Sequence, residues 1–157
     1  MQTFLPYDDF AACAAVLDLR RLGKQRVEVL QILRALIVPG YGWRHHPAAK
    51  MWRGYEEALA AYGVAICREW CRRGHTDTCD VKIRAEVATL GIPSVRDQAE
   101  LAAAGALPPW LGDEDFHRSH RSSLLHKDPA WYGERFTDVP PDLPYVWPAG
   151  RPLEGRS

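Results

Sequence analysis

Residues Leu17–Ile37 read LDLRRLGKQRVEVLQILRALI, and the reading of this stretch decides the fold. Leu22, Val29, Leu30, Leu33, Leu36 and Ile37 recur at helical spacing and form one apolar stripe. At about 100° per residue, Arg21, Lys24, Gln25 and Glu28 fall on another side of the same helix. That side holds one carboxylate among cations. Glu28 lies four residues after Lys24 and two after Arg26, with Arg20 and Arg21 upstream. Nearby cations favour the ionised carboxylate, and they also attract a phosphate backbone. An enzyme acting on nucleic acid can use such a pattern. A merely solvated, ion-paired helix face has the same pattern, so both readings stand at this point.

Outward from this helix, the N-terminal MQTFLPYDDF reads as an extended entry and a turn around Pro6, and AACAAVLD as a short helix. Pro39-Gly40 stops the basic helix. The loop GYGWRHHP leads into a long helix from Pro47 to Arg73, whose Trp52, Tyr55, Leu59, Tyr62, Ile66 and Trp70 form a buried stripe. Gly74 sits at its C-terminal cap. VKIRAEVATL predicts a short helix closed by Gly91. Ser94 with Asp97 resembles a capping box opening SVRDQAELAAA. Asp113 can cap a helix through DEDFHRSHRSSLLHK that ends at Asp128-Pro129, and AWYGERF adds a last helical turn. No strand alternation is visible. The expectation is an all-α fold: a compact helical domain over 1–136, then a Pro-rich tail over 137–157 that wraps the surface or moves freely.

A chain of 157 residues with 46% hydrophobic and 25% charged residues suits one globular domain. Its net charge is zero, which argues against indiscriminate polyanion binding, so any nucleic-acid surface is local. The N-terminus has neither the basic start nor the apolar run of a signal peptide, and no stretch approaches a membrane span. Four cysteines without an export signal are then expected as reduced thiols in a cytosol.

Cys67, Cys71, His75 and Cys79 step by four, but the two-residue knuckle of a zinc site is missing, so buried thiols are the better expectation and no metal is assigned. His46, before Pro47, faces a helix N-terminus that favours anions, or simply caps it. His117, Arg118, His120, Arg121, Ser122 and Ser123 place phosphate-type donors on two helical turns. The same helix could instead cap its neighbours and pair with the acids at 113–115. There is no Walker loop, dinucleotide fingerprint or nucleophile elbow.

Three stretches together resemble the pyrimidine-dimer DNA glycosylase family, of phage endonuclease V type, and most closely its uncharacterised bacterial members. They are LDLRRLGKQRVEVLQIL, WRHHPAAKMWRGYEEALAAYGVAICREWCRRGHTDT and HRSHRSSLLHKDPAWY, within residues 1–136. The resemblance implies a compact all-α domain that cleaves the glycosidic bond of a damaged base and then cuts the strand at the abasic site. It implies an N-terminal α-amine as nucleophile and an assisting glutamate, which matches Glu28. Arg21 and Arg26 become candidate phosphate ligands, His46 matches a histidine at the second helix start, and Trp131-Tyr132 resembles a C-terminal aromatic pair. Gln2 is too large to favour removal of the initiator, so the amine belongs to Met1, and the entry must fold back onto the basic helix to bring it to Glu28. Lys24 is the substitute nucleophile. The expected DNA contacts are Arg21, Lys24, Arg26, His46, Arg118, Arg121, Trp131 and Tyr132. The expected partner is damaged or modified DNA, with no cofactor, membrane or obligate protein partner. The rival readings are a binding module that grips nucleic acid without cutting, and an enzyme acting on a free modified nucleotide or base.

Overall fold

The computed structural model describes residues 1–152 and is all-α. Its helices are α1 (Phe10–Val16), α2 (Leu19–Ile37), α3 (Pro47–Lys50), α4 (Glu56–Arg72), α5 (Asp80–Ala88), α6 (Gln98–Ala103), α7 (Glu114–Lys127) and α8 (Pro129–Tyr132). Residues 153–157 of the Pro-rich tail lie outside the described residues. None of the described helices is long and apolar enough to cross a membrane.

The basic helix forms as its periodicity demands, two residues later than the sequence suggests. Asp18 caps it, its carboxylate accepting from the Arg21 N–H, and Leu17 is buried ahead of the cap. Leu22, Val29, Ile32 and Leu33 pack α2 against α4, and α5 lies across both. Removing these aliphatic side chains from water is the main force holding the helices together.

The long helix expected from Pro47 to Arg73 is two helices. Gly54 has φ +86°, a left-handed conformation that ends the α3 turn, and α4 starts afresh at Glu56. The apolar stripe runs across this break because Trp52, in the turn, still points into the core. There it packs against Phe10, Tyr62 and Trp110. The capping box also moves. Arg96 places its backbone N–H and guanidinium on Glu57, which holds the chain extended, and the box closes between Asp97 and Glu100.

The first six residues run extended across α2, α4 and α7, and side chains satisfy their backbone groups. Phe4 N–H donates to Gln25 Oε1 (3.0 Å), Leu5 N–H to His120 Nδ1 (2.9 Å), and Tyr62 Oη donates to the Phe4 carbonyl (2.6 Å). His117 Nδ1 meets the Leu5 carbonyl at 2.8 Å, and Arg121 Nη1 donates to that of Pro6 at 2.7 Å. Buried backbone polar groups need partners, and here no neighbouring strand supplies them. The entry does fold back onto the basic helix. The tail also wraps the surface up to Pro152: Ser122 Oγ donates to the Pro140 carbonyl, and Gly150 and Arg151 donate backbone hydrogen bonds to Lys50 and Arg53.

Candidate active site

A cleft of about 390 Å³ opens where the N-terminus meets α2. Met1, Arg20, Arg21, Lys24, Gln25, Glu28 and His46 line it, with Lys127 from the end of α7 and Tyr145 and Trp147 from the tail. Its floor is built from Gln25, which is 1% exposed. Gln25 Nε2 donates to the Gln2 carbonyl (2.8 Å) and to Glu28 Oε2 (2.7 Å), while Oε1 accepts from Phe4 N–H and lies 2.9 Å from Tyr62 Oη. One amide therefore ties the terminal segment and the carboxylate to the same helical turn. Burial pushes the Tyr62 hydroxyl well above its usual range, so it remains a neutral donor in this cluster.

Glu28 is 8% exposed, and its other oxygen lies 3.7 Å from Lys24 Nζ. Lys24 itself reaches out into solvent. His46 caps α3, its Nδ1 accepting from Ala48 N–H at 3.0 Å. Burial holds the imidazole below its ordinary range. The α-ammonium of Met1 lowers it further and Glu28 opposes, which places amine, carboxylate and imidazole within one another's fields. With Nδ1 accepting, the neutral ring carries its proton on Nε2. Arg20 and Lys127 make no ion pair among the described residues, and Arg21 leans on Asp18 (3.2 Å). A buried carboxylate, an amine and several cations around a cavity of this size suit an anionic substrate that needs proton transfer at one point.

The structure brings Met1, Arg21, Lys24, Glu28 and His46 together and leaves the other expected contacts elsewhere. Arg26 is half-buried, paired with Asp77 at 2.6 Å and stacked over Trp70. Arg121 is 6% exposed and holds the Pro6 carbonyl, Glu114 and Asp138. Arg118 binds the Asp138 carbonyl. Trp131 donates from Nε1 to the Val16 carbonyl (2.8 Å), and Tyr132 is buried with its hydroxyl donating to Asp18 (2.5 Å). This aromatic pair seats the start of α2 and does not line the cleft.

Lys127 stands out in the sequence only as part of a basic group with Arg118 and Arg121, and Tyr145 and Trp147 are not marked at all, because only the packing of α7 and the tail brings them to the cleft. Among the described residues no group of three or more His, Cys, Asp or Glu is placed to hold a metal ion. Cys67 is buried and Cys71 exposed, and burial with the Asp77 charge pushes the Cys67 thiol up.

Compared with known proteins, residues 1–83 match the family model described as pyrimidine dimer DNA glycosylase. No curated protein and no solved structure matches. The matched segment contains Met1, the whole of α2 with Glu28, and His46.

Proposed function

The chain belongs to the pyrimidine dimer DNA glycosylase family, and on that premise we propose that its cleft releases a damaged or modified base through the Met1 α-amine and then cuts the strand at the abasic site. The observation that carries this reading is the terminal segment. A chain terminus gains nothing by being ordered for its own sake, yet Gln25 holds residues 2 and 4 beside Glu28 by buried hydrogen bonds.

The chemistry follows from the groups present. The α-amine reacts in its neutral form, which carries a free lone pair. Its lone pair attacks C1′ as the glycosidic C1′–N bond breaks, and the base leaves with that electron pair and takes its proton from water. Glu28 stabilises the positive charge that builds on the sugar. Glu28 takes a proton from the ammonium so formed and delivers it to O4′ as the ring C1′–O4′ bond opens, which leaves an iminium between Met1 and C1′, the type of intermediate that amines form with carbonyl carbons. Glu28 then takes the C2′ proton, the C3′–O bond breaks with the phosphate as leaving group, and water hydrolyses the iminium to return the amine. His46 Nε2–H is a donor within the same cleft for the departing base or O4′. Arg20, Lys24 and Lys127 supply the charge that draws the phosphates in.

Borohydride reduction of a reaction mixture traps the iminium as a covalent protein–DNA adduct. We expect trapping with the native chain and none once residues are added ahead of Met1, with helix content intact. Trapping that survives the extension but fails in Lys24→Ala moves the nucleophile to Lys24. Binding without trapping or incision favours the non-cutting module instead. Glu28→Gln is expected to keep DNA affinity and lose base release by ~100-fold or more, the size of an acid–base contribution. Base release near the native rate in Glu28→Gln removes the carboxylate from the mechanism.

A further inference from the structure

The outer wall of the cleft is made by the tail, far beyond the family-matched residues 1–83. Trp147 stands against His46 with ring centroids 6.2 Å apart at 84°, and against Tyr145 at 5.3 Å and 53°. The strap that carries Trp147 is anchored on both sides. On one side Leu143 N–H donates to Ser122 Oγ (2.9 Å) and Val146 N–H to Ser119 Oγ (3.2 Å). There the Tyr145 hydroxyl also meets Ser123 Oγ at 2.5 Å. On the other side Gly150 donates to the Lys50 carbonyl at 3.0 Å, in a fit so close that a Cβ would overlap the Lys50 and Arg53 backbone. Residues 143–151 thus bridge α7 to α3 and hold Trp147 over the cleft.

Trp147 is nevertheless 40% exposed, so it is not there to fill the core. It is an indole held in place with part of its surface open, in a cleft that also presents Arg20, Arg21, Lys24, Lys127 and Glu28. Cations there serve a phosphate, and a flat apolar surface serves an aromatic ring. A nucleotide offers both. Stacking on an aromatic side chain is insensitive to base identity, because every base has a π-face. An enzyme that acts at C1′ must take the nucleotide out of the helix and give the base somewhere to sit. We propose that Trp147, seated by Tyr145, is the stacking platform for a nucleobase turned into the cleft. This rests on the reading of the cleft as a DNA-processing site, but its test is a binding measurement that does not depend on cleavage.

Fluorescence anisotropy in the Glu28→Gln background compares a duplex carrying one unpaired thymine with the same duplex carrying a tetrahydrofuran abasic analogue at that position. Trp147→Ala is expected to weaken binding of the base-bearing duplex relative to the abasic one by roughly tenfold or more, as for a lost base stack. Trp147→Phe should restore most of the difference. An unchanged ratio in Trp147→Ala, with an unchanged melting temperature, overturns the platform and leaves the glycosylase reading standing. Thymidine monophosphate is titrated separately. Saturable binding lost in Trp147→Ala, without discrimination between the duplexes, keeps the platform but assigns it to a free nucleotide, which overturns the DNA reading instead. A ratio that falls equally in Trp147→Ala and Trp147→Phe overturns the stacking role, since a phenyl ring still stacks.

Discussion

At the scale of single residues, Gln25 matters as much as the carboxylate beside it. It has no charge and no chemistry of its own, yet its amide carries the hydrogen bonds that join Gln2, Phe4, Tyr62 and Glu28. Replacing it with Leu keeps the volume and removes every partner. The buried Phe4 N–H would then lie unpaired, at a cost of about 1–3 kcal/mol. We expect Gln25→Leu to lower the unfolding free energy by about that much, measured by urea denaturation, and trapping through Met1 to fall with it as the terminus loosens. Stability at the native level would show that the terminal segment is held by its apolar side chains alone. Sequence spacing placed Gln25 beside Glu28, but nothing in it showed that both would be buried, because the segment that covers them comes from the other end of the local sequence.

At the scale of elements, α7 is a receptor for the N-terminal segment. His120 is fully buried, accepts from Leu5 N–H on Nδ1, and has an Nε2 that finds no partner among the described residues. Burial, with His117 beside it, lowers its pKa to about 3. An unfolded histidine titrates near 6.5. Below that value the unfolded chain takes up a proton that the native chain refuses, so stability is full above about pH 6.5 and declines as pH falls toward 3, approaching about 1.4 kcal/mol per pH unit for this group. His46 is lowered too and adds in the same direction. Glu57 is also held below its ordinary value by Arg96, and Asp77 is lowered, against the opposing effect of burial, by Arg26 and the Asp80 and Cys79 N–H groups, but their contribution is lost only at more acidic pH. Urea midpoints between pH 7 and 5 therefore isolate the histidines, and His120→Asn should flatten the slope. An unaltered slope would mean that the ring is not held neutral by its burial.

At the scale of the whole molecule, a neutral chain concentrates its useful charge. Arg20, Arg21, Lys24 and Lys127 meet at the cleft, while Arg26, Arg34, Arg84, Arg96 and Arg121 are taken up by carboxylates elsewhere. Each phosphate neutralised on duplex DNA contributes about −0.9 to the slope of log affinity against log salt. Three or four cleft contacts give a slope of roughly −3 to −4, shallower than that of a protein coated in cations. Affinities between 50 and 200 mM salt check this. Lys127→Ala should reduce the slope by about one unit. A steep slope that ignores Lys127 would place the DNA on another face.

The sequence by itself determined the all-α class, the basic helix and the grouping of Arg21, Lys24, Gln25 and Glu28. These follow from helical periodicity, which repeats within a few residues and needs no distant partner. It also carried the family resemblance. Only the tertiary structure decided what each charge does. Arg21 and Arg121 are alike in type and sit on alike helices, yet one lines the cleft and the other is buried on Pro6, Glu114 and Asp138. Trp131 lies two residues after Pro129 and Trp147 three after Pro144, yet the first is tied to α1 by way of Val16 and the second lines the cleft. An arginine or a tryptophan takes its role from the groups that surround it. The Pro6 carbonyl that holds Arg121, the Val16 carbonyl that holds Trp131 and the His46 ring beside Trp147 each lie more than a hundred residues away along the chain, out of reach of any local pattern.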